Sequence, residues 1–203
     1  MNRKFQEKDL VLATHNFGKI EEFKHLFGKV NFNITDIGQY SGRTPEETGG
    51  SFWENSLIKA REATKLTGLV SLADDSGLCV DILNGAPGIY SADWAIKSDG
   101  SRDFKFATNK LIREIEKKNF VRPCTGYFIC SLILYWPDNH FEKFEGKIYG
   151  EIICPGRGEK GHGYDPVFLP NGYEETFGQM DRWKKNKISH RGLAMDNLLD
   201  ACF

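Results

Sequence analysis

Apolar and polar positions alternate along the chain in a way that predicts short strands separated by helices. Leu10 to Ala13 is an apolar run of strand size. Three polar residues and a glycine follow, and then Ile20, Phe23 and Phe27 recur at helical spacing on one face. Val30 to Ile37 reads as a second strand and Gln39 to Gly50 as a polar loop. Ser51 with Glu54 makes a capping box for a helix running to Thr67, with Trp53, Leu57, Ala60 and Ala63 on its apolar face and Gly68 ending it. Leu69 to Ala73 reads as a buried strand that stops at Asp74-Asp75-Ser76-Gly77, and Leu78 to Leu83 as another.

Further along, Gly85 to Gly88 is a turn. Ser101 is expected to cap a helix that buries Phe104, Ala107, Leu111 and Ile115. Cys124 to Trp136 and His140 to Ile153 have the pattern of two long antiparallel strands joined at Pro137-Asp138-Asn139. A glycine-rich loop from Pro155 to Gly163 leads to a short strand at Val167 to Leu169. Ser189 is placed to cap a last helix bearing Ala194, Leu198 and Ala201. Helices alternating with strands, plus a long hairpin, predict an α/β fold with a mixed sheet and flanking helices.

Composition narrows the function classes. With 203 residues the chain builds one large domain or two small lobes. A net charge of −1, with 27 Lys and Arg scattered except at Lys184, Lys185 and Lys187, argues against a general nucleic-acid binder. No apolar run reaches the length of a membrane span or signal peptide, so a membrane partner is not expected. Five cysteines, odd in number and without a Cys-x-x-Cys pair, point away from a disulfide framework or zinc site and towards a reducing cytoplasm.

Three clusters carry candidate chemistry. In the first, Gly18 and Lys19 stand at a strand-to-helix turn, where unpaired N–H groups and the helix dipole suit a phosphate. The spacing is not that of a P-loop, and an ordinary capped helix with an exposed lysine looks the same. In the second, Asp74 and Asp75 fall where a buried strand stops. Carboxylates there need a positive partner, for which Mg²⁺ on a phosphate is apt. On an extended chain they point oppositely, so one of them faces the metal, and Glu46 or Glu47 can supply a second acid. A turn capped by Asp74 and a solvated acidic loop are the plainer readings.

The third cluster has two parts. Tyr164 of Gly161-His162-Gly163-Tyr164-Asp165-Pro166 can stack on a base while Asp165 accepts from one, or the segment is a tight turn with Tyr164 in the core. The run from Lys184 to Gly192 puts cations at an expected helix start, where the dipole disfavours them, which suggests an anion or a base carbonyl unless the run is simply a solvated surface.

Seven segments together resemble the inosine triphosphate pyrophosphatase family, whose bacterial branch is the XTP/dITP diphosphatases. They are Ala13 to Lys19, Glu46 to Gly49, Phe52 to Ser56, Ala73 to Leu78, Gly85 to Ala92, Gly163 to Phe168 and Ile188 to Gly192. The likeness covers essentially the whole chain. It implies one nucleoside-triphosphate pyrophosphatase domain over 1–203, elongated and two-lobed around a central nucleotide cleft. It also implies a Mg²⁺-dependent homodimer that cleaves ITP, dITP and XTP to monophosphate and pyrophosphate.

By the same resemblance, Thr14, His15, Asn16, Phe17, Gly18 and Lys19 meet the phosphates. Asp75 is the catalytic carboxylate and a metal ligand, Glu47 is the other metal-site acid, and Ser76 touches substrate. His162, Gly163, Tyr164, Asp165, Lys185, His190 and Arg191 fall at base-recognition and clamp positions. Two residues depart from the family pattern: His162, where many relatives carry an aromatic residue, and Gln179, which replaces a frequent glutamate. A Maf-like pyrophosphatase acting on pyrimidines and a nucleotide sensor without turnover are the rival readings; the Gly-Tyr-Asp-Pro and Ser-His-Arg segments weigh against the first, and retention of both Glu47 and Asp75 against the second.

Overall fold

Leu10, Val11 and Leu12 are fully buried in β1 (Asp9–Leu12), as their run of apolar side chains requires. The computed structural model describes residues 2–118 and 123–203. The domain expected over 1–203 therefore includes residues 1 and 119–122, which lie outside the described ones. After β1 come α1 (Phe17–Phe27), β2 (Asn33–Asp36), α2 (Phe52–Thr67) and β3 (Val70–Val80). Next are α3 (Phe104–Glu116), β4 (Cys124–Tyr135), β5 (Phe141–Ile152), β6 (Phe168–Pro170), α4 (Arg182–Ile188) and α5 (His190–Cys202). The sheet order is β2-β1-β3-β4-β5-β6. β1 is parallel to β2 and β3, whereas β5 and β6 are antiparallel, so the sheet is mixed, as the alternation predicted. Among the described residues no helix is long and apolar enough to cross a membrane.

The chain divides into two compact units. The first comprises Met1–Asp75, Cys130–Gly146 and Arg191–Phe203. Its core packs Leu10, Leu12, Phe23 and Leu72 with Leu132, Trp136 and Leu198. Each such side chain contributes about 1.5–3 kcal/mol when fully buried. A smaller cluster packs Ala60 and Ala63 of α2 with Val11, Ala73 and Ile133. The second unit, Ser76–Ile129 and Lys147–His190, has its own core of Leu78, Val80, Leu111, Phe128, Phe168 and Phe177.

Local chemistry sets the helix ends. Asn16 caps α1 by accepting from the Lys19 N–H, and Ile20, Phe23 and Phe27 form its buried face. Ser51 caps α2 as expected: its Oγ accepts from the Glu54 N–H and donates to Glu54 Oε2 at 2.8 Å. Gly68 ends that helix in the left-handed region, with φ of 71°.

Four expectations are corrected. β3 does not stop at Asp74 but continues unbroken from Val70 to Val80, because both carboxylates find buried partners and need no turn. The cap of α3 is Asp103, not Ser101; its carboxylate accepts from the Lys105 and Phe106 N–H groups, whereas the Ser101 hydroxyl is bonded to Asp99. β2 is only four residues long. Finally, Lys185 and Lys187 do not stand at a helix start. With Lys184 they belong to α4, capped by Asp181, and Lys185 and Lys187 fall in its last turn, where the dipole favours cations. Ser189 is the extended residue between α4 and α5.

Candidate active site

In the first unit the turn from β1 into α1 is tied locally. The Asn16 N–H donates to Thr14 Oγ1, and Asn16 Oδ1 takes the Lys19 N–H at 3.2 Å. No acidic residue occupies the first turn of α1, so the partial positive charge of the helix start is not cancelled there. Lys19 reaches from this turn to Asp74, with Nζ to Oδ2 at 2.8 Å. Arg191, at the start of α5, donates to the same Oδ2 at 3.2 Å and to Glu22 Oε2 at 2.6 Å. Burial opposes the charge on Asp74, but Lys19, Arg191 and Lys59 outweigh it and hold the carboxyl well below the usual carboxylate range. Arg191 is held firmly charged against its burial by Glu22 and Asp74.

Asp75, the next residue on the strand, faces a different set of groups. Its Oδ1 lies 3.2 Å from Lys59 Nζ, and its Oδ2 accepts from Asn55 Nδ2 at 3.3 Å. The Lys59 ammonium also donates to Glu47 Oε1 at 2.9 Å. Asn55 Oδ1 in turn accepts from the Gly49 N–H at 2.8 Å, so one amide links Asp75 to the loop that carries Glu47. Burial raises the Asp75 carboxyl; Lys59 pulls it down, and Glu47 and Asp74 push it back up. Burial works against the Lys59 charge, yet Asp75, Asp74 and Glu47 together raise its pKa.

The fit to Mg²⁺ follows from these oxygens. Glu47 and Asp75 converge on one small cation, the Lys59 ammonium, and carboxylate oxygens are the donors a hard divalent ion prefers. Among the described residues no group of three or more His, Cys, Asp or Glu side chains is arranged to hold a metal. Mg²⁺ on a polyphosphate asks for only one or two carboxylates and completes its shell with phosphate oxygens and water, so the pair suffices.

In the second unit Asp165 is buried and its Oδ2 accepts from Lys185 Nζ at 2.6 Å and from the His162 N–H. Gly161 has φ of 79°, and a Cβ there would lie 2.1 Å from Asp165 Oδ2, so only glycine fits. Tyr164 is a core residue, 2% exposed; its hydroxyl donates to the Ser91 carbonyl at 3.0 Å, and burial pushes its pKa up. The exposed His162 ring meets Phe104 edge-on at 5.1 Å. His190 is buried and stacks parallel on Phe128, 4.9 Å away. Ser76 is half-buried on β3.

The model of the Ham1 family matches residues 10–201. The chain belongs to the Ham1 family. A protein of Ruegeria pomeroyi named dITP/XTP pyrophosphatase is 45% identical over 203 residues, covering 100% of this chain and 99% of its own. One of Rhizobium meliloti with the same name is 43% identical, covering 98% of each. Among solved structures, a HAM1 protein from Coxiella burnetii superposes with a TM-score of 0.87 at 34% identity, covering 95% of this chain and 96% of that one. The Staphylococcus aureus Ham1 protein gives 0.84 at 35%, covering 95% and 97%. The resemblance drawn from the seven segments and the mixed α/β fold are both borne out.

In this Ham1 chain, then, the first unit holds a charge network in two parts, Lys19 and Arg191 on Asp74 and Glu47 and Asp75 on Lys59, and the second unit holds a cluster of His162, Asp165 and Lys185. Tyr164 and His190 are packed against other side chains, and the Arg191 guanidinium is directed at two carboxylates. Three further members of the network were not among the sequence candidates: Asn55, Lys59 and Glu22. Lys59 did leave a signal. It shares the buried face of α2 with Ser56, Ala60 and Ala63, and a lysine on an apolar stripe asks for an acid.

Proposed function

We propose that this Ham1-family chain is a nucleoside-triphosphate pyrophosphatase that hydrolyses dITP, XTP and ITP to the monophosphate and pyrophosphate with Mg²⁺. The observation that carries the reading is the convergence of Glu47 and Asp75 on one cationic point in the unit that also bears Lys19 at the start of α1. The names of the relatives support the substrate class.

Phosphoryl transfer asks a protein mainly for positioning and neutralised charge. Glu47 and Asp75 are the residues that would hold Mg²⁺, which would screen the phosphates and lower the pKa of bound water. Asp75, its carboxyl raised by burial, orients a water or takes its proton as the water attacks the α-phosphorus. The α–β bridging oxygen leaves with pyrophosphate. Thr14, Asn16, Phe17, Gly18 and Lys19 receive the phosphates, and Asp74 and Arg191 set the place and charge of Lys19. Lys59 steadies the two acids and Asn55 holds Asp75 in register with the acidic loop.

Base selection is a hydrogen-bond problem. The 6-oxo group of hypoxanthine or xanthine accepts, whereas the 6-amino group of adenine donates. A site built of donors rejects the wrong group by on the order of 10⁴. Lys185, whose bond to Asp165 uses one of three N–H groups, is the donor assigned here, with the exposed His162 beside it. The same reading makes the protein a cytoplasmic homodimer, and five cysteines without a Cys-x-x-Cys pair suit a reducing compartment.

Pyrophosphate release from dITP, XTP, ITP, dATP, dGTP, dCTP and dTTP, with Mg²⁺ and with EDTA, tests the proposal. The expected result is Mg²⁺-dependent release from dITP, XTP and ITP, far above the rest; dGTP shares the 6-oxo group, so its exclusion falls to its 2-amino group. Preference for pyrimidines would favour a Maf-like enzyme, and binding of dITP without turnover a sensor.

A further inference from the structure

His15 lies in the turn whose neighbours are assigned to phosphates, but its ring is engaged elsewhere. Nε2 is 2.8 Å from the Ser41 carbonyl oxygen, and Nδ1 is 3.2 Å from Thr44 Oγ1. A carbonyl can only accept, so Nε2 carries the proton; the neutral ring then uses Nδ1 to accept from the Thr44 hydroxyl. One tautomer satisfies both contacts.

The segment they grip has no helix or strand from residue 41 to 51. Further on, it is fastened by Glu47 to Lys59 and by the Gly49 N–H to Asn55. His15 therefore ties the near end of the acidic loop to the β1–α1 turn, three residues before Glu47. Backbone without a ladder of its own is placed by such contacts, and a carboxylate near the middle inherits their precision.

We infer that His15 is a positioning residue, a strap that fixes the acidic loop to the phosphate turn and thereby sets where the Glu47 carboxylate stands. It acts through Ser41 and Thr44 rather than by touching substrate. The functional half of this inference rests on the reading of Glu47 as a metal-site acid; the structural half does not.

The test uses His15→Ala, Thr44→Val and the double variant in the full chain. Arg43 is exposed inside the strapped segment, so tryptic cleavage after it, without nucleotide or metal, reads loop opening. Rates are normalised to cleavage of the same bond in the unfolded chain. Thr44→Val, which loses one hydrogen bond, should raise cleavage by about fivefold, His15→Ala, which loses both, by at least as much, and the double variant by less than the product of the two. With dITP, both singles should raise the Mg²⁺ concentration needed for half-maximal rate by a similar factor, again less than multiplicatively when combined. Unchanged cleavage in both singles overturns the strap, whether or not dITP is a substrate. Raised cleavage with an unchanged Mg²⁺ requirement overturns the placement of Glu47. A higher KM for dITP in His15→Ala alone, with Thr44→Val behaving as wild type, makes His15 a phosphate ligand and overturns the inference.

Discussion

Asp74 and Asp75 are consecutive on β3, yet their carboxylates serve different cations: Asp74 takes Lys19 and Arg191, and Asp75 takes Lys59. The alternation of side chains along a strand separates them. Asp74 has a fully buried side chain and is held charged; Asp75 retains some exposure and is raised. Two substitutions of the same kind should therefore fail differently. Asp75→Asn should fold as wild type and lose at least about 10² in turnover, the low end for an acid–base group. Asp74→Asn leaves half-buried Lys19 and buried Arg191 with less negative charge and should lose roughly 3 kcal/mol of stability. Urea unfolding and dITP turnover of the two variants measure this; equal effects on both quantities would refute the division of labour.

Lys59→Met removes the charge between Glu47 and Asp75 and leaves two acids facing one another. The variant should unfold at a lower temperature than wild type without divalent ions. Added Mg²⁺ should recover more stability in it than in wild type, because an ion bound by the folded state alone stabilises by mass action. Melting curves with and without Mg²⁺ decide it, and an identical Mg²⁺ response in the two proteins would count against a metal at these acids.

Arg191 bonds Glu22 and Asp74. Arg191→Ala strands two acids and should cost about 3 kcal/mol. Its activities on dITP and dATP should fall together, so that their ratio of kcat/KM stays within about twofold, less than the discrimination carried by one hydrogen bond. A tenfold collapse of that ratio would instead put Arg191 on the base.

Gly161 and Gly172 share a left-handed backbone, with φ of 79° and 81°. A Cβ at Gly172 meets nothing within 4 Å, whereas one at Gly161 collides with the Asp165 carboxylate. Gly172→Ala should cost about 1–2 kcal/mol, the backbone term alone. Gly161→Ala should cost more and also weaken dITP binding, since Asp165 positions Lys185. Equal losses in stability and unchanged binding would remove the Asp165–Lys185 pair from base recognition.

Much of this architecture is legible in the residues because local chemistry and burial agree. Ile20, Phe23 and Phe27 mark one helix face, and the Ser51–Glu54 box marks the start of α2. What stays hidden depends on tertiary partners. Two adjacent acids look like the end of a buried strand until Lys19, Arg191 and Lys59 are known to meet them. Lys59 looks like a solvated helical lysine, although its place in the stripe of Ser56, Ala60 and Ala63 betrays it. Ser101 and Asp103 are both acceptable caps two positions apart, and the difference lies in Ser101 bonding Asp99. Seven residues rich in lysine conceal α4, since so short a helix has no apolar stripe to read.

The most direct test of Asp75-assisted attack at the α-phosphorus is hydrolysis of dITP in ¹⁸O-water with Mg²⁺, the products being resolved by mass spectrometry. The expected outcome is one ¹⁸O in deoxyinosine monophosphate and none in pyrophosphate. Label in pyrophosphate, or release of orthophosphate with deoxyinosine diphosphate, would contradict it.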